Sequence, residues 1–139
     1  MARIALIAAV GLLVWAAPAA AVELRVYPGA VDAADAPDLV LLNDGRATVT
    51  YGLPFALDRW TGARWRWINR HQAWPLPLLF LEPGQRSLLQ TVGVYGAARR
   101  VVLPHGLYRV RKAVDLADGR SIVLGAAFRV FRRPTGLAE

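Results

Sequence analysis

The stretch RWTGARWRWINRHQAW, residues 59–74, holds four of the five tryptophans of the chain and four of its arginines. These residue types permit two chemistries. Arginine interleaved with tryptophan grips nucleic acid, the rings stacking on bases while guanidinium groups neutralise phosphates. The same alternation lets a β-hairpin bury one face and keep the other wet. Material for catalysis is thinner. A nucleophile needs a positioned base, yet there is no cysteine and the only serines are Ser87 and Ser121. Ser87 follows a Pro-Gly turn and Ser121 opens a run of strand formers, so neither stands in a nucleophile-elbow context. His71 and His105 lie far apart along the chain and read as surface residues. Asp32, Asp35 and Asp38 are irregularly spaced and supply too few oxygens for Ca²⁺, so they read as a solvated loop. The sequence therefore predicts no catalytic residue, no metal and no cofactor.

The compartment is written at the N-terminus. MARIALIAAVGLLVWAAPAAAVE has a basic start at Arg3, an apolar middle and a small-residue end at Ala19-Ala20-Ala21, the layout of a secretory signal peptide. The alternative is an uncleaved anchor, since the uncharged run from Ile4 to Val22 approaches the roughly 20 apolar residues that a membrane span needs. Pro18 and the alanine-rich end favour the signal. The chain thus divides into a signal peptide at 1–21, one domain at 22–133 and a polar tail at 134–139, and it is expected to be secreted or displayed at the cell surface. Membrane contact is expected only through an uncleaved N-terminal segment. The domain is long enough to fold without disulfides. The formal charge of the chain is +7, nearly all of the positive charge being arginine. That surplus favours weak attraction to anionic surfaces but falls short of the dense basic stripe of a nucleic-acid binder.

Beyond residue 22 the helical period is nearly absent. Short alternating runs separated by Gly, Pro, Asp and Asn predict roughly seven to nine antiparallel strands of five to eight residues, an all-β chain best accommodated as a β-sandwich behind its hydrophobic signal helix. Val22, Leu24 and Val26 share one face, and Ile122, Leu124, Ala126, Phe128 and Val130 share another. Turns are expected at Asn43-Asp44-Gly45, Pro83-Gly84 and Asp118-Gly119, while AVDAADAP reads as a loop. Tyr108, in Pro-His-Gly-Leu-Tyr, has the position of a corner tyrosine whose hydroxyl bonds nearby backbone.

Within this frame the tryptophans divide. A three-residue loop of Thr61, Gly62 and Ala63 sets Leu57 opposite Trp67, Arg59 opposite Trp65 and Asp58 opposite Arg66. A four-residue loop would oppose Arg59 to Arg66, and like charges directly opposite are destabilising. The first register puts Phe55, Leu57, Trp65 and Trp67 on the core side and Asp58, Arg64 and Arg66 on the solvated side. Trp60 at the hairpin tip and Trp74 in the proline-rich AWPLPLL segment are left facing outward. Aromatic and arginine side chains dominate binding hot spots, so Trp60, Arg64, Arg66, Arg70 and Trp74 are the candidate partner-binding residues.

Asn43, Tyr51-Gly52, Leu57-Asp58-Arg59, Gly62, Trp65, Pro83-Gly84, Pro104, Gly106, Tyr108-Arg109 and Phe128-Arg129-Val130 follow one another in an order and spacing that resembles a bacterial immunoglobulin-like domain family. Asp58 stands where the family pattern carries Glu, and the RWRWINRHQAWP stretch is richer in tryptophan and arginine. The resemblance implies an immunoglobulin-like sandwich, often a stand-alone domain behind a signal, with no catalytic residues. The function expected is non-enzymatic surface recognition of a protein or cell-envelope component. The alternatives are an anionic polymer bound by the basic-aromatic surface, or a structural module with no discrete ligand.

Overall fold

The computed structural model describes residues 22–96 and 99–132. The signal peptide expected at 1–21 and the tail expected at 134–139 lie outside the described residues. Twelve strands form among those described, more than the expected seven to nine, because Gly and Pro break several runs into pieces of two or three residues. Along the chain they are β1 (Val22–Tyr27), β2 (Ala30–Asp32), β3 (Asp38–Asn43), β4 (Val49–Tyr51), β5 (Ala56–Trp60) and β6 (Trp65–Trp67). They continue with β7 (Leu79–Leu81), β8 (Gln90–Thr91), β9 (Val94–Gly96), β10 (Arg99–Val101), β11 (Gly106–Asp115) and β12 (Ser121–Phe131).

The strands assemble into a three-stranded sheet, β1-β3-β8, and a seven-stranded sheet, with β9 and β10 as a separate ribbon. In the larger sheet β11 pairs with β12 along one side, and its other side is shared by β5 and β4. The hairpin strand β6 adds to β5, and β7 adds to β4. Two sequence expectations need correction. Residues 30–32, predicted to be loop, run along the end of β12, and they pair with it in parallel rather than antiparallel fashion. A bridging strand of three residues is too short to show a period.

Alternation explains the core. Leu39, Leu41 and Asn43 of β3 are buried, as are Tyr108, Val110, Lys112 and Val114 of β11 and Phe128 and Val130 of β12. Buried residues from both sheets join one hydrophobic cluster, an arrangement consistent with a β-sandwich. Sequence neighbours need not pair: β3 lies in the small sheet and β4 in the large one. Asn43 holds that crossing, donating Nδ2 to the carbonyls of Ala47 and Leu81 while its Oδ1 accepts from the Gly45 amide. At the Pro83-Gly84 turn, Gly84 adopts φ 79°, a conformation that costs a glycine little, and Gln85 closes the turn onto Glu82.

Tyr108 behaves as its sequence setting predicts. Its ring stacks on Phe128 at 5.4 Å, and its hydroxyl donates to the Pro104 carbonyl at 2.6 Å. Tyr108→Phe should therefore destabilise the domain by about 1 kcal/mol, the net worth of one hydrogen bond. Denaturant titration measures this, and an unchanged midpoint would remove the corner role.

Candidate functional site

The hairpin adopts the register that its own two strands disfavour. Asp58 faces Trp67, Arg59 faces Arg66 and Trp60 faces Trp65. The loop is thus Thr61–Arg64, closed by the Thr61 amide on the Arg64 carbonyl, with Gly62 at φ 96°. A slip of one residue moves every side chain to the other face. Trp65 and Trp67 consequently leave the core side and lie on the outer face, Trp65 half-buried and Trp67 42% exposed. A third strand decides the matter. On β11, Val110 faces Leu57 across the core side, so Asp58 meets Arg109 on the outer side. The Arg59–Arg66 apposition is tolerable because Arg59 turns away and donates to the His105 carbonyl at 3.2 Å.

Asp58 is the centre of that outer face, its side chain only 2% exposed. Arg111 grips it with two bonds, Nε to Oδ2 at 2.6 Å and Nη2 to Oδ1 at 3.0 Å, and Arg109 Nε adds a third at 2.8 Å. Burial works to raise the Asp58 pKa, but the hydrogen bonds and charges of the two arginines outweigh it and hold the carboxyl below its ordinary value. The bond to Asp58 in turn raises the Arg111 pKa. Both guanidinium groups then serve as stacking surfaces: Arg109 lies 4.5 Å from the Trp65 ring centre and Arg111 5.6 Å from that of Trp67. Arg70 covers Trp67 as well, at 5.0 Å, and Trp60 meets Trp65 edge-on at 5.3 Å. On β12, Ala127 and Gly125 stand opposite Arg109 and Arg111, leaving room for the large side chains to lie flat.

Asn69 fixes the far end of this array. Its Oδ1 accepts from Trp67 Nε1 and from the Leu57 amide, both at 2.7 Å, and its Nδ2 donates to the Phe55 carbonyl at 2.9 Å. A buried side-chain amide thereby continues the β5 ladder where β6 ends and sets the plane of the Trp67 ring. Just upstream, residues 52–54 are held by Lys112, the only lysine of the chain. Its buried ammonium donates to the carbonyls of Gly52, Leu53 and Pro54 at 2.8–3.2 Å. Burial lowers its pKa to about 8.

Two clefts flank Trp67 and Arg70, which line both. One, of about 390 Å³, has Phe55, Trp74, Ala113 and Val123 among its walls. The other, of about 430 Å³, is completed by Arg66, Ile68 and His71. Of the five residues that the sequence nominated, Arg66 and Arg70 share the second cleft. Trp60 and Arg64 sit exposed at the hairpin tip. Trp74 does not face outward as expected: it is half-buried, edge-on to Phe55 at 4.7 Å, and packs against the core. Ser87 has a backbone task, accepting from the Leu41 amide and donating to the Leu88 carbonyl. Among the described residues no group of three or more His, Cys, Asp or Glu gathers, and no helix is long and apolar enough to cross a membrane.

Sequence reasoning missed Asp58, Arg109, Arg111, Asn69 and Lys112. Only Lys112 carried a local signal, a lysine in the inward phase of Tyr108, Val110 and Val114. No protein-family model matches the chain, and no curated protein matches it.

Proposed function

We propose that the chain is an extracytoplasmic, immunoglobulin-like β-sandwich that works without catalysis, by surface recognition of a protein or cell-envelope partner through the outer face of β5 and β6. The observation that carries this reading is the aromatic–arginine array over Asp58, with Trp65 and Trp67 each stacked under a guanidinium group. Trp and Arg are favoured at hot spots, and side chains already held in place lose little freedom when a partner arrives. The immunoglobulin-like identity draws support from the two-sheet all-β build, the corner tyrosine and the long closing hairpin of β11 and β12. The signal-like N-terminus supports the compartment, with an uncleaved anchor as the alternative.

The test is capture. Immobilised chain is incubated with envelope extract of its own source, beside Trp67→Ala and Arg70→Gln variants whose fold is checked by circular dichroism. Partners retained by the wild type and lost from both folded variants are expected. Equal retention by all three would overturn the surface assignment. A second reading, an anionic polymer as ligand, is favoured by Arg64, Arg66 and Arg70, which have no ion pair among the described residues. Retention that collapses with added salt selects it.

A further inference from the structure

We infer that the ridge formed by Trp67 and Arg70 takes an acidic polypeptide segment, an apolar side chain entering the cleft on one side and a carboxylate reaching Arg66 and Arg70 on the other. This deepens the recognition reading above and rests on it. The two clefts meet at the same pair of side chains, so one ligand can fill both only if apolar and anionic groups are adjacent in it.

The chemistry of each side narrows the occupant. Phe55, Trp67 and Trp74 make the first cleft largely aromatic, and about 390 Å³ lies near the small end of the roughly 300–1,000 Å³ of ligand pockets. It has room for a bulky apolar side chain. The anion must be met by Arg66 and Arg70, because the guanidinium of Arg111 in the first cleft is already engaged by Asp58. Neither Arg66 nor Arg70 has a carboxylate partner among the described residues. Gln72, on the wall of the first cleft, offers a peptide backbone a further contact. Its buried Oε1 accepts no hydrogen bond. A peptide N–H, present at nearly every residue of such a segment, supplies the missing donor once that amide turns.

The probe is a blocked pentapeptide with a central phenylalanine between paired glutamates, titrated into the chain with tryptophan fluorescence and amide shifts as readouts. Controls replace the glutamates by glutamine, or the phenylalanine by alanine. Each control, and the Arg66→Gln and Arg70→Gln variants, should bind about tenfold more weakly or worse, the scale of one charge-assisted hydrogen bond or one buried ring. These arginine changes are at exposed positions and leave Asp58 untouched, so folding is preserved. Tighter binding of polyphosphate, or of phosphatidylglycerol vesicles, than of the peptide would overturn the inference. So would equal binding of all three peptides, or no binding up to about 1 mM. If the peptide fails while capture from extract still depends on Trp67, the chemistry assigned to the ligand falls and the recognition surface stands. If capture is also independent of Trp67, both fall.

Discussion

Asp58→Ala is expected to lower the unfolding free energy by about 3 kcal/mol, the low end of the cost of removing one partner from a buried ion pair. The low end applies because Arg109 and Arg111 keep about a third of their side-chain exposure, 33% and 36%, and can turn to water once released. Asp58→Asn should cost less, since the amide oxygen still accepts from one arginine. Coupling is the sharper measurement: Arg111→Gln should cost clearly less in the Asp58→Asn background than in the wild type, because both changes remove one interaction. The pH dependence has a definite sign. The Asp58 pKa is lowered on folding, so its contribution is fully present above the unfolded carboxyl value of about 3.9 and is lost as pH falls through the folded value. Urea midpoints measured from neutral pH down into that range should fall less for Asp58→Asn than for the wild type. Tryptophan emission should shift in Asp58→Ala, as the guanidinium groups come off Trp65 and Trp67. A variant with the wild-type midpoint and an additive double mutant would show that the carboxylate does not hold this face together.

The same carboxylate explains why the hairpin's register differs from the one its two strands alone predict. Two strands taken alone give a contest between weak cross-strand pairs, of roughly 0.2–1 kcal/mol each, and Arg59 opposite Arg66 loses it. The third strand brings Arg109 and Arg111 to Asp58 from 51 and 53 residues away. Nothing local in LDRWTGARW announces those partners. What a strand's own period controls was legible: the inward phases of β1 and β12, the Pro83-Gly84 and Asp118-Gly119 turns, and Tyr108 bonded to Pro104. What depends on an encounter between distant segments was not. Trp74 sits in a proline-broken run with no period to read, and its seat on Phe55 exists only because β5 and the 68–74 segment are brought together. The candidate site was thus half legible. Its composition pointed to residues 59–74, but the side it faces was set by β11.

Lys112→Met should cost about 2 kcal/mol, although it replaces a buried charge by an apolar side chain of similar length. Replacing an entire buried ion pair by hydrophobic residues is often neutral or stabilising. Here the partners are main-chain carbonyls and cannot be replaced with it. Leu53 keeps a donor in Gln90 Nε2 at 2.7 Å, whereas the Gly52 and Pro54 carbonyls lose the ammonium. An acceptor left unmade away from water costs about 1–3 kcal/mol; both bonds are part-buried, and access of water to Pro54 together with relief from burying the charge offsets part of the sum. The alkaline response separates this account from simple packing loss. The ammonium titrates at about 8 in the folded chain against an ordinary value of 10.5, so between those values the unfolded chain binds the extra proton. Stability must then rise with pH across that interval, by at most about 1.4 kcal/mol per pH unit. Tyr51 and Tyr108, whose pKa values burial raises, act in the opposite sense near and above the ordinary tyrosine value of 10, so the useful window closes just below it. Midpoints measured from pH 7.5 to 9.5 should climb for the wild type relative to Lys112→Met. A wild type that stays level with the variant across that window would mean the three carbonyls hold the proton as firmly as water does. Burial would then not be the force acting on this lysine.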